Sequence, residues 1–314
     1  MFRASLEKTY QKIKNIEIQG ATAVAEATLL ELKRYGLAVP SKNKEDWLKK
    51  INQAAQKLRS ARPTEALADN AVRRVLWDEN FKNTDNIAEL RNQLEIAIVD
   101  FLYALSRARE EIVAFGQEVI KDKKKIFLHC HSATVVDILI RGKESGLSFE
   151  VFNTETRPLF QGRITSSRLL KAGIPVTMVT DSAAGFFISS ASGEEYEMDL
   201  FLIGADAILS DGSVVNKIGS YGMALAAQEA KVPFYSAASL LKYHPHTEIE
   251  IEYRKPSEVW DYPPKGLKII NYAFDRVPAQ LLTGYITEFG IIKPNELSDR
   301  AKNHFPWLVN SKID

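Results

Sequence analysis

Near residue 121 the chain changes its hydrophobic period, and that change limits the folds open to it. Beyond this point short apolar runs recur: Ile126-Phe127-Leu128, Phe149-Glu150-Val151-Phe152, Val176-Thr177-Met178-Val179, Leu200-Phe201-Leu202-Ile203 and Val232-Pro233-Phe234-Tyr235. Each is followed by a polar loop and a helix-like stretch. Strands at this spacing leave room for a crossover helix, so they predict right-handed βαβ units and a parallel sheet. The expected class is α/β, with a boundary near residue 120.

Residues 1–120 keep a helical period. Leu6, Tyr10, Ile13 and Ile16 share one face of a first helix. A second is expected over 22–35, with Gly36 as the positive-φ residue that ends it. A third carries Trp47, Ile51, Ala54, Ala55 and Leu58 and stops near Ser60-Ala61-Arg62-Pro63. Pro63 then reads as the first turn of another helix. A stretch free of Pro and Gly runs from Ile87 to Phe115, long enough to link two domains. The run Lys121-Asp122-Lys123-Lys124-Lys125 reads as a solvated turn.

Composition removes several functions. Lys and Arg number 41 against 40 Asp and Glu, a net charge of +1, which argues against a nucleic-acid partner. The single cysteine, Cys130, excludes an intrachain disulfide and a cysteine-based zinc cluster, and suits a reducing, cytoplasmic setting. No apolar run approaches the ~20 residues of a membrane span, and MFRASLEKTYQKIKN is too charged for a secretory signal.

In an open α/β sheet, ligands bind beyond the carboxyl ends of the strands. Those ends read His129-Cys130-His131-Ser132, Asn153-Thr154-Glu155-Thr156-Arg157-Pro158, Thr180-Asp181-Ser182-Ala183, Gly204-Ala205-Asp206 and Ser236-Ala237-Ala238-Ser239. Polar and reactive side chains therefore gather at one edge. A lone cysteine is most often inert filler. At a strand–helix junction, however, the helix N-terminus favours the thiolate. His129 and His131 flank Cys130, and strand geometry lets at most one of them face the thiol. Two His and one Cys without a third ligand motif make a weak metal site.

Asp206 reads either as a turn aspartate or as an acid in a cleft. Asn216 and Lys217 precede Gly219, which opens a helix, and the three suggest a phosphate seat of unpaired helix amides and one cation. Arg62, Arg157 and Lys242 are further candidate anion contacts. Several bases around one cleft would suit a substrate with two phosphates.

Taken together, LHCHSATV (128–135), TETRPLFQG (154–162), TDSAAG (180–185), IGADAILSDGSVVNKIGSYGMAL (203–225) and KYHP (242–245) resemble the archaeal ribose-1,5-bisphosphate isomerases. EIQGATAVA (17–25), ARPTEAL (61–67), NYAFDRVP (271–278) and ITEFGIIKP (286–294) extend the resemblance over nearly the whole chain. These enzymes share a superfamily with methylthioribose-1-phosphate isomerases and the regulatory subunits of translation initiation factor 2B. The resemblance implies a helical N-terminal domain (1–120) on a Rossmann-like catalytic domain (121–314). It implies a catalytic pair, Cys130 and Asp206, with substrate contacts at Gln19, Gly20, Ala21, Thr22, Arg62, Ser132, Asn216, Lys217 and Lys242, to which Arg157 is added from the strand-end reading. It also implies a sugar-phosphate substrate, no metal or nicotinamide cofactor, self-association as a homodimer or homohexamer, and AMP as a candidate activator. The chain departs from the family pattern at Gln19, where an arginine is usual, at Ser239-Leu240, where an acidic/hydroxyl pair is usual, and at Arg276, where valine is usual.

The implied chemistry needs these residue types. An aldose phosphorylated at O1 opens only if its ring oxygen is protonated and hydrogen leaves C2. Burial would keep Asp206 protonated as the acid, and Cys130 as thiolate would be the C2 base. A hydride shift from C2 to C1 is the rival route. The competing functions are a methylthioribose-1-phosphate isomerase and a non-catalytic regulatory subunit.

Overall fold

The computed structural model describes residues 2–77 and 81–310. The helical half comprises α1 (Phe2–Lys14), α2 (Ala21–Ala38), α3 (Lys44–Arg59), α4 (Ala66–Val75) and α5 (Ile87–Ile120). Asn86 starts the 34-residue α5 by accepting from the amides of Ala88 and Glu89. The expected end of α2 is wrong. Gly36 lies inside that helix, and a Cβ there would stand 2.4 Å from Leu94 Cδ2 and 2.8 Å from Ile51 Cδ1. The glycine serves close packing of α3 and α5, and Trp47 Nε1 donates to its carbonyl at 3.1 Å. Pro63 does not open a helix either; α4 begins at Ala66, after a turn.

The second half adds β1 (Lys125–Leu128), α6 (Ala133–Glu144), β2 (Glu150–Thr154), α7 (Gln161–Lys171), β3 (Val176–Val179), α8 (Ala184–Ile188) and β4 (Leu200–Ile203). There follow β5 (Ala207–Leu209), β6 (Val214–Lys217), α9 (Ser220–Glu229), β7 (Phe234–Ala237), β8 (Tyr243–His244), β9 (Phe274–Val277), β10 (Gly284–Thr287) and β11 (Gly290–Ile292). Helices α10 (Leu297–His304) and α11 (Trp307–Asn310) close the described chain. The main sheet is seven-stranded, in the order β11-β10-β7-β4-β1-β2-β3, parallel except for the β10–β11 hairpin. Its parallel part follows the doubly wound order of a Rossmann-like sheet, with the direction reversing between β1 and β4. A second sheet, β8-β5-β6-β9, was not expected. Its strands have two to four residues, too short for a period to register.

Hydrophobic packing does not stop at residue 120. One cluster runs from Ile13, Leu29 and Trp47 through Leu94 to Phe127, Phe201 and Phe234. Polar ties join the halves as well. Asn70 Nδ2 donates to the carbonyls of Leu241 and Tyr243 at 2.8 and 2.7 Å, and Thr64 Oγ1 donates to Glu250 O at 2.8 Å. Among the described residues no helix is long and apolar enough to cross a membrane.

Candidate active site

The reversal between β1 and β4 leaves a crevice where the chain leaves both strands. Gly204 lets the two exits come together, since a Cβ there would be 2.8 Å from both Cβ and Oγ of Ser132. A cavity of about 500 Å³ opens at this point. Its walls come from both halves, and they include Cys130 and Asp206.

Cys130 takes a left-handed backbone (φ 69), a conformation that costs a non-glycine residue on the order of 1 kcal/mol. Neighbours hold it there. Its amide donates to Thr156 Oγ1 at 3.1 Å, and Thr165 Oγ1 donates to its carbonyl at 2.9 Å. The kink turns the chain from strand to helix, and Ser132 caps α6 by accepting from Val135 N. The surroundings disfavour the expected thiolate at rest. Burial pushes the thiol up to about 11, against the pull of Lys217. Two residues separate Cys130 from the first turn of α6, and the helix end does not offset the loss of solvent. Neither histidine hydrogen-bonds the thiol. His129 is wedged between Thr154 Oγ1 (2.7 Å) and Ile218 O (3.0 Å), and burial lowers it to about 4, so its ring is neutral. His131 Nδ1 pairs with Thr165 Oγ1 at 2.9 Å.

Asp206 sits where β4 hands over to β5, anchored by its amide to Val215 O at 2.9 Å. Burial raises its carboxyl above the ordinary range, opposed by Lys242, Lys217 and Arg62. When ionised it also pushes the Cys130 thiol upward, so the two groups, 76 positions apart, share one electrostatic neighbourhood.

Gln19, Gly20, Ala21, Thr22, Arg62, Ser132, Asn216, Lys217 and Lys242 all line the cavity. Gly20 (φ 85) precedes α2, whose first turn has no side-chain cap. The first amides of α2 and those of Ala133 and Thr134 on α6 therefore present two helix N-termini to one space. The seat expected at the start of α9 is occupied by the protein itself. Asp275 Oδ2 accepts from Gly219 N (2.7 Å) and Tyr221 N (3.1 Å), leaving Lys217 facing the cavity from β6. Lys217 Nζ lies 4.8 Å from the centre of the Phe274 ring. Lys242 Nζ donates to Ala205 O at 2.5 Å, and burial lowers its pKa.

Arg62 is not a free anion contact. Its Nε donates to Glu252 Oε2 at 3.0 Å, and Nη1 lies 2.9 Å from Glu65 Oε1. Arg157 is not in the cavity wall. It is exposed, its Nη2 donating to Val259 O at 2.9 Å and its guanidinium lying over Phe160. Its loop follows the Asp181 carboxylate, which takes the amides of Thr156 and Arg157.

Sequence reading missed Glu65, Arg109, Arg254 and Glu258, all of which line the cavity. Glu65 lay in a motif already singled out, but its spacing from Pro63 suggested a helix start. Arg109 is one charge among many on α5, and Arg254 and Glu258 lie in a segment with little regular structure.

The family model described as the initiation factor 2 subunit family matches residues 17–294. A ribose 1,5-bisphosphate isomerase of Methanocaldococcus jannaschii is 38% identical over 310 residues, covering 96% of both chains. A methylthioribose-1-phosphate isomerase of Pelotomaculum thermopropionicum is 33% identical over 321 residues, covering 93% of this chain and 86% of that one. A solved structure from Pyrococcus horikoshii OT3, described as translation initiation factor eIF-2B, is similar with a TM-score of 0.79 and 26% identity, over 92% of this chain and 97% of that one. With the match covering most of its length, this chain belongs to the initiation factor 2 subunit family.

Proposed function

We propose that the chain is an aldose–ketose isomerase that converts ribose 1,5-bisphosphate to ribulose 1,5-bisphosphate. One observation carries the reading: Cys130 and Asp206 line a single cavity on which two helix N-termini converge. The helix ends seat two phosphates, and the pair between them serves the reacting carbons.

Asp206, whose protonated form burial favours, gives its proton to the ring oxygen as the C1–O bond breaks. Two routes then lead to the ketose. In the first, Cys130 gives its thiol proton to solvent, takes a proton from C2 as thiolate and returns it to C1, while the C2 hydroxyl proton goes back to Asp206. In the second, hydride passes directly from C2 to C1, the C2 hydroxyl proton goes back to Asp206, and the thiol stays neutral. The raised thiol pKa favours the second. Turnover in deuterium oxide separates them, since deuterium at C1 of the product requires the first. The decisive test is turnover of ribose 1,5-bisphosphate by the wild type, Cys130→Ser and Asp206→Asn. Asp206→Asn should lose at least about a thousandfold in kcat by either route, and Cys130→Ser should do so only if the first route operates, with both variants still binding the sugar.

A second reading has its own support. Glu17 and Glu26 line the cavity beside Gln19, close to the α2 seat. Carboxylates there favour an uncharged distal group, such as the methylthio group of methylthioribose 1-phosphate. Parallel turnover of the two sugars decides between them. We also infer self-association as a dimer or hexamer, supported by exposed Tyr253, Trp260, Tyr262, Ile270 and Tyr272, and measurable by sedimentation. Activation by AMP, a place in nucleotide salvage and a cytoplasmic setting belong to the same proposal; an AMP titration of the rate tests the first.

A further inference from the structure

Glu65 has no part in the chemistry above, yet it is the most buried carboxyl lining the cavity. It is 1% exposed and lines the wall. Among the described residues neither of its oxygens has a hydrogen-bond partner. Arg62 Nη1 approaches Oε1 to 2.9 Å as an ion pair, but that guanidinium is shared with Glu252. A carboxylate held this way has several lone pairs with no donor, and leaving them empty is expensive in a buried site. The fold tolerates the residue if the occupant of the cavity brings donors.

What kind of donor follows from the proposed substrate class, on which this inference rests. A phosphorylated sugar has phosphates, which are anions and acceptors, and hydroxyls, which are donors. A carboxylate repels the first and binds the second. We propose that Glu65 is a specificity-determining residue that accepts hydrogen bonds from the ring hydroxyls of the sugar, the C3 hydroxyl above all, and keeps phosphate out of that corner. The C3 hydroxyl is singled out because it is common to substrate and product, whereas the C2 oxygen becomes a carbonyl. Burial pushes Glu65 up to about 7, opposed by Arg62. Donors from the ligand favour its ionised form.

The test compares ribose 1,5-bisphosphate with its 3-deoxy analogue by calorimetric titration of the full-length Asp206→Asn protein, alone and with Glu65→Ala or Glu65→Gln. With Glu65 present, the hydroxylated sugar should bind about 10- to 100-fold more tightly than the deoxy sugar. In Glu65→Ala that ratio should fall towards one, and Glu65→Gln, which keeps an acceptor oxygen, should lie between. Glu65→Gln also carries the test if Glu65→Ala fails to fold. A ratio that Glu65 variants leave unchanged, even with both affinities lowered, overturns the assignment, as does a ratio near one in the parent or no binding of either sugar. Wild-type turnover is scored separately. An inactive wild type with a Glu65-dependent ratio sinks the isomerase and keeps the hydroxyl site, and active wild type with a Glu65-independent ratio does the reverse.

Discussion

Replacing Gly204 by alanine tests whether the close approach of the two strand exits matters to the site. The new Cβ would stand 2.8 Å from Cβ and Oγ of Ser132, where ordinary contact begins at 3.4 Å. The loops must part by about 0.6 Å, because the obstacle is a short side chain on the capping residue of α6. Overpacking of this kind costs about 1–3 kcal/mol, and pulling Ser132 off the Val135 amide adds about 1 kcal/mol. A chain of this size should then melt roughly 3–6 °C lower. Cys130 and Asp206 each lie two residues from the clash, on opposite sides of it. Opening that gap should lower kcat for ribose 1,5-bisphosphate by about 10- to 100-fold. Differential scanning fluorimetry and the rate of ribulose 1,5-bisphosphate formation read the two effects. Adding Ser132→Gly removes the obstacle, so the double variant should melt no lower than Ser132→Gly alone. Gly204→Ala with wild-type melting and wild-type turnover would refute the idea that this contact sets the site.

Arg157→Ala should change KM by less than about twofold, since the residue is outside the cavity wall; a tenfold rise would place its guanidinium on the substrate. Alkylation of Cys130 by iodoacetamide should be slow at pH 7 and climb steadily from pH 9 to 11, because the reactive thiolate is scarce below a pKa of about 11. A rate that levels off near pH 8 would mean the thiol is activated at rest. Gly36→Ala should destabilise the chain in urea by about 1–3 kcal/mol despite the better helix propensity of alanine, and a stabilised variant would show that Leu94 and Ile51 yield freely.

The strands that carry the site were readable because each is an apolar run at crossover spacing, and the parallel sheet follows from that spacing alone. Residues at the ends of β1 and β4 fall at one sheet edge for the same reason. What spacing does not carry is compensation. Asp275 sits 56 positions beyond Gly219, and nothing local says that it caps α9. Likewise Arg62 reads as a free cation until Glu252, 190 positions away, is brought against it. The thiol failed for a related reason. Helix-end proximity is visible in sequence, but the degree of desolvation is a property of the whole fold. The β8-β5-β6-β9 sheet escaped because three-residue strands built from Ala207-Ile208-Leu209 look like any buried turn.

The two helix N-termini proposed as phosphate seats belong to different halves of the chain, one at the head of α2 and one at the head of α6. A guest charged at both ends would rivet these halves, adding to the shared apolar cluster and to the polar ties made by Asn70, Thr64 and Arg62. Durability and occupancy thereby become one equilibrium. The supply of metabolite, as well as the amino-acid sequence, would govern how long each molecule resists proteolysis.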